Sequence, residues 1–113
     1  MKTMKALMLT LFTMLSVSVF AHEKTDTFKV YGNCDMCKKK IEKAASSIEG
    51  VKKAEWNEET GVMTVTYNGD KTSLDDIQKK IASVGYDTEK FPADDAAYKK
   101  LPGCCKYERK PKS

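Results

Sequence analysis

Residues 31–40 read YGNCDMCKKK, and the periodicity of the chain changes inside this stretch. Before it, TFKVY (27–31) alternates apolar and polar residues, placing Phe28 and Val30 on one face of a short strand. Gly32-Asn33 breaks that strand. From Met36 onward the apolar positions are Cys37, Ile41, Ala44 and Ile48, spaced 4, 3 and 4, which is the stripe of an amphipathic helix stopped at Gly50. A strand therefore hands over to a helix across a loop that carries Cys34, with Cys37 in the helix's first turn. Residues 22–26 are polar and read as a frayed lead-in.

Working outward, VKKAEWN (51–57) and VMTVTY (62–67) read as two strands of a hairpin, with Gly61 closing the turn Glu58-Glu59-Thr60-Gly61. Met63, Val65 and Tyr67 alternate with Val62, Thr64 and Thr66, so one face can be wet. After the Asn68-Gly69-Asp70 turn, Ser73 and Asp76 suit a helix cap. Leu74, Ile77, Ile81 and Val84 carry a second helical stripe, stopped by Gly85. Asp87–Phe91 reads as a weak final strand. The order strand-helix-strand-strand-helix-strand predicts an α+β, ferredoxin-like βαββαβ sandwich: a four-stranded antiparallel sheet with both helices on one face.

The N-terminal end reads differently. MKTMK is basic, ALMLTLFTMLSVSVF is apolar, and Val19 and Ala21 satisfy the small-x-small rule, so residues 1–21 are expected to be a secretory signal cleaved after Ala21. The apolar run is short for a bilayer span. Residues 22–91 then form one small domain and 92–113 a cysteine-containing tail, in a periplasmic or secreted protein that makes no membrane contact after cleavage. The full chain carries a formal charge of +4, and removing Lys2 and Lys5 brings it nearer neutral. That balance gives no basis for nucleic-acid binding. His22, the only histidine, would become an exposed N-terminal residue, and the sequence gives no basis for catalysis beyond thiol redox chemistry. The chain is read as a non-enzyme.

Cysteines at a helix start meet outward-pointing N–H groups and the positive end of the helix dipole, which favour thiolates; Lys38, Lys39 and Lys40 add to this if they come near. Two thiolates separated by two residues can converge on one soft ion. Two sulfurs suit linear Cu(I) or Hg(II), whereas Zn(II) prefers four ligands. The same pair at a helix N-terminus also suits a thiol–disulfide oxidoreductase using Cys34 and Cys37. That alternative lacks the Trp before and Gly-Pro between that mark thioredoxin-like proteins. In an exported chain the four cysteines could also be a structural disulfide framework in a partner-binding domain.

Over about residues 26–91 the sequence resembles the heavy-metal-associated domains of copper chaperones, copper-transporting ATPases and periplasmic mercury-binding proteins. The resemblance rests on the cysteine pair after the first strand, the Ile41/Ala44/Ile48 stripe, EGV at 49–51 and VGYD at 84–87. It implies a metal-carrying or metal-sequestering function, with Cys34 and Cys37 as ligands, Tyr86 as their neighbour, and Cu(I) first as the ion, Hg(II) or Zn(II) being alternatives. It also implies a metal-transporting ATPase or efflux protein as partner, and a monomer able to form a metal-bridged dimer. One departure concerns methionine: the family usually has one two residues before the first cysteine, where this chain has Gly32, while Met36 sits inside the pair. Met36 is either a thioether that shields or ligates the metal or, the reading preferred, an apolar filler of the space left at position 32.

The tail is the other departure. Pro92, Asp94, Asp95 and Lys99-Lys100 suit two helical turns, ended by Leu101-Pro102-Gly103. Cys104 and Cys105 are adjacent and disfavoured as a disulfide with each other. A strand of about 17 Å leads away from the metal loop. A helix returning about 12 Å, plus a few extended residues, can then bring Cys104 and Cys105 back as third and fourth thiolates. An independent or disulfide-bonded tail is the alternative.

Overall fold

The computed structural model of the chain describes residues 23–33 and 35–109. The expected signal segment 1–21, His22, the first site cysteine Cys34 and residues 110–113 lie outside the described residues. Six elements are followed: β1 (Glu23–Lys29), α1 (Asp35–Ser46), β2 (Val51–Trp56), β3 (Val62–Asn68), α2 (Leu74–Ser83) and α3 (Asp95–Lys99), with a 3₁₀ turn at Gly103–Cys105. The sheet is antiparallel in the order β1-β3-β2.

β1 begins earlier than the expected lead-in allows. Residues 23–26 pair with Asn68 back to Val65 and are not frayed. The reason is that their polar side chains find partners across the sheet. Tyr67 Oη donates to Asp26 Oδ2 at 2.8 Å, Thr25 and Thr66 hydroxyls meet at 3.1 Å, and Lys52 pairs with Glu23 at 2.8 Å. In β2 the register shifts between Val51 and Lys53, so the inward positions run Val51, Ala54, Trp56 instead of strictly alternating. Phe28, Val30, Met63, Val65 and Tyr67 from the sheet meet Ile41, Ala44 and Ala45 of α1 and Ile77 and Ile81 of α2. Ile41, Ile77 and Ile81 are fully buried, each contributing about 1.5–3 kcal/mol of transfer free energy. Ser73 caps α2 by accepting from the Asp76 N–H at 3.2 Å.

The expected fourth strand is corrected. Among the described residues the sheet has three strands, and Asp87–Phe91 contributes one isolated bridge, Val30 to Thr88. Its backbone donors explain this. Glu89 N–H reaches Lys29 O, but Asp87 N–H goes to Tyr107 Oη, Thr88 N–H to Phe91 O, Lys90 N–H to Gln78 Oε1 and Phe91 N–H to Thr88 Oγ1. The Lys29 N–H is taken by the Glu89 carboxylate. With its donors engaged in a tight local turn and in the tail, the segment has nothing left with which to extend a ladder.

The tail packs on the domain. Asp94 caps α3 through the Ala97 N–H, and its own N–H satisfies the Ala82 carbonyl at the end of α2. Gly85 has φ +109, and a Cβ there would stand 3.1 Å from Ala97 O and 3.3 Å from Leu101 Cγ. Only glycine fits that conformation and that approach. Among the described residues no helix is long and apolar enough to cross a membrane.

Candidate functional site

Cys37 lies in the first turn of α1 and is fully buried, on the same face as Ile41. The 3₁₀ turn brings Cys105, also fully buried, against the Cys37 thiol and the Tyr86 ring. Burial first, then the Cys37 thiol, pushes the Cys105 thiol up to about 12. Tyr86, fully buried at the end of the α2 connection, faces both sulfurs; burial and the two thiols push its phenol well above the ordinary tyrosine range. Among the described residues its hydroxyl has no partner at strict hydrogen-bond geometry, although the Cys37 and Cys105 thiols stand beside it. A buried, unsatisfied O–H beside two thiols is a donor waiting for a negatively charged sulfur. Cys105 is a free thiol. Among the described residues no three His, Cys, Asp or Glu side chains gather closely enough to hold a metal ion.

Cys104 points outward. It is exposed, its Sγ stands 3.6 Å from Met36 Sδ, and Asn33 Nδ2 donates to its carbonyl at 3.4 Å. Met36 is 45 % exposed, so the expectation that it fills the space beside Gly32 is corrected. That space belongs to Trp56. A Cβ on Gly32 would stand 3.0 Å from Trp56 Cη2 and 3.1 Å from Ile41 Cδ1. The indole, 1 % exposed, is fixed by its Nε1 donating to Val30 O at 3.1 Å.

The lysine run does not surround the sulfurs as a unit. Lys38 Nζ turns to Glu42 Oε2 at 2.6 Å and Trp56 O at 2.8 Å, and Glu42 in turn accepts the Trp56 N–H. It clips α1 to β2. Acidic groups stand beside the helix start instead, where Asp35 and Glu58 lie close enough for Asp35 to raise the Glu58 carboxyl.

What holds Cys105 in place was not anticipated from sequence. Tyr107, 3 % exposed, stacks on Tyr86 at 5.6 Å and meets Tyr98 edge-on at 5.1 Å. Its hydroxyl donates to Gly85 O and accepts from Asp87 N–H, both at 2.8 Å. Arg109 grips the buried Asp87 carboxylate through two bonds, 2.8 and 2.9 Å, and lies over Tyr98. Asp87 Oδ1 also accepts the Ala93 N–H at 2.7 Å. The readable signal was Tyr107-Glu108-Arg109, an aromatic and an arginine on alternate residues after a Pro-Gly break.

The fold and the described sulfurs define a small α+β module with one buried cysteine, Cys37, in the first turn of α1 and a second, Cys105, brought against it by the tail. The model of the heavy-metal-associated domain matches residues 27–87, more than half of the chain. The mercuric transport protein periplasmic component of Shewanella putrefaciens is 32% identical over 87 residues, 76% of this chain and 93% of that protein. The copper-exporting P-type ATPase of Staphylococcus saprophyticus is 37% identical over 70 residues; the match covers 60% of this chain but only 9% of the far longer ATPase. The solved structure of a CopZ metallochaperone superposes with a TM-score of 0.56 at 32% identity, over 57% of this chain and 98% of that one. The chain belongs to the heavy-metal-associated domain family.

Proposed function

We propose that the protein binds one soft metal ion, Cu(I) in preference to Hg(II) or Zn(II), through Cys34 and Cys37 with Cys105 as third sulfur, and sequesters or carries it after export. The carrying observation is the burial of Cys105 against Cys37 by the returned tail, with the orphaned Tyr86 hydroxyl beside them. Cys34, three residues before Cys37 in the sequence, is the remaining ligand of the proposed set. Each bound thiol releases its proton, so affinity falls as the medium becomes more acidic. The Tyr86 O–H, unpartnered in the metal-free chain, donates to the thiolate charge that the ion brings. A periplasmic location follows from the signal-like start of the sequence and accords with the periplasmic mercury-transport relative. The mercury relative also keeps Hg(II) as the second reading for the ion. A metal-transporting ATPase or efflux protein is the partner proposed to exchange the ion.

Anaerobic Cu(I) titration against a chromophoric chelator tests this. The Cys34→Ser/Cys37→Ser variant is expected to lose on the order of 100-fold or more in affinity, beyond the range seen when only a supporting group is removed. Wild-type affinity in that variant would sink the proposal.

A further inference from the structure

Met36 is the exposed large apolar side chain of the described residues, and the packing role open to it is already filled by Trp56. It stands in the loop-proximal turn of α1 with its thioether 3.6 Å from the exposed Cys104 thiol, 68 residues away in sequence. Cys104 is not there by drift. The 3₁₀ turn is closed by Cys105 N–H to Pro102 O at 2.8 Å, Lys106 N–H follows to Gly103 O at 3.1 Å, and Asn33 reaches the Cys104 carbonyl. The turn that buries Cys105 thus holds its neighbour outward, over the first turn of α1.

We infer that Cys104 and Met36 form an outer thiolate–thioether site that takes up Cu(I) at the surface and passes it to the buried Cys105 and Cys37 sulfurs. This deepens the proposed Cys34/Cys37/Cys105 reading and rests on it for the destination of the ion. A thioether is neutral at every pH, soft, and poorly suited to harder ions, so the pair selects Cu(I). On binding, the Cys104 S–H loses its proton to solvent, a Cu–S bond forms, and copper stays Cu(I); no electron moves. The Cys104 and Cys105 thiols also lie within reach of each other, so the ion moves inward by associative exchange: the Cys105 S–H loses its proton as its bond to Cu(I) forms, the Cu–S bond to Cys104 breaks, and the Cys104 thiolate takes a proton back from solvent.

The test uses the full chain with ¹³C-methyl methionine under anaerobic conditions. Cu(I) is added, the Met36 resonance being identified by its loss in Met36→Leu. Its signal is expected to move during loading, Cys104→Ser to abolish that movement, and the buried Met63 signal to stay in place. In parallel, the rate of Cu(I) uptake from a chelator complex is expected to fall by about tenfold in Met36→Leu and in Cys104→Ser, as for loss of a supporting metal contact, with final affinity unchanged. A static Met36 signal through saturation, wild-type uptake rates in both variants, or an equal Met36 shift with Zn(II) would each overturn the outer site. The Cys34→Ser/Cys37→Ser variant separates the two claims. Loss of its tight binding with Met36 still moving supports both, whereas unchanged tight binding removes the inner reading and leaves the Met36 result to stand or fall separately.

Discussion

Trp56 stands where a side chain at position 32 would otherwise go, and this sets how the backbone between β1 and α1 is supported. Because a Cβ on Gly32 would meet the indole and Ile41 at 3.0–3.1 Å, Gly32→Met overfills a closed space. It is expected to destabilise the fold by about 1–3 kcal/mol, read from the urea midpoint, although the resembling family usually carries methionine there. Tyr86 makes the opposite case. Its buried hydroxyl is unsatisfied in the metal-free chain, so Tyr86→Phe is expected to leave metal-free stability unchanged or raise it by about 1 kcal/mol. The same substitution is expected to lower Cu(I) affinity by about tenfold, because a hydrogen bond to a charged sulfur is lost. A variant that loses stability and keeps its affinity would assign Tyr86 to packing alone.

At the scale of elements, the tail is a strap whose lock is the Arg109–Asp87 pair. Asp87 is 1 % exposed and accepts from Arg109 twice, which also raises the guanidinium's proton affinity. Arg109→Ala removes two charged donors from that carboxylate, while the Ala93 N–H stays in place. The expected cost is on the order of 3 kcal/mol, concentrated in the tail, with faster amide exchange across 98–107 and faster reaction of Cys105 with a thiol reagent. Uniform loosening of β1 and β3 alongside the tail would contradict a strap. The elements themselves differ in how legible they were. α1, β3 and α2 could be read from period alone, because their apolar faces answer to one local repeat each, whereas the polar first half of β1 and the register shift in β2 could not. The fourth strand could not, since its N–H groups are claimed by Tyr107, Gln78 and its own turn, partners distant in sequence or side-chain in kind. Likewise the nearness of Tyr86 to Cys37 was legible through helix position and resemblance. The role of Trp56 under Gly32, and the seating of Cys105 by Tyr107 and Arg109, depend on long-range packing that no local pattern encodes.

Across the whole molecule, buried tyrosines set an alkaline limit. Tyr67 is pushed up to about 12 by burial and by its bond to Asp26, and Tyr107 is raised chiefly by burial. In the unfolded chain a tyrosine ionises near 10. The neutral phenols are therefore favoured by folding. Their contribution is complete below about pH 10 and is lost as pH climbs towards 12. Urea midpoints are expected to fall steadily between about pH 9.5 and 11.5, and Tyr67→Phe to flatten part of that fall; a midpoint flat over the window would contradict it. On the proposed reading the closed tail has a functional counterpart: a third sulfur from Cys105 would hold the ion more firmly than an open pair and favour retention over rapid delivery. The coordination number of the bound ion addresses this most directly. Copper-edge X-ray absorption on the full chain loaded with one equivalent of Cu(I) is expected to give three sulfur ligands, falling to two in Cys105→Ser. Two sulfurs in the wild type, unchanged when Cys105 is replaced, would contradict it.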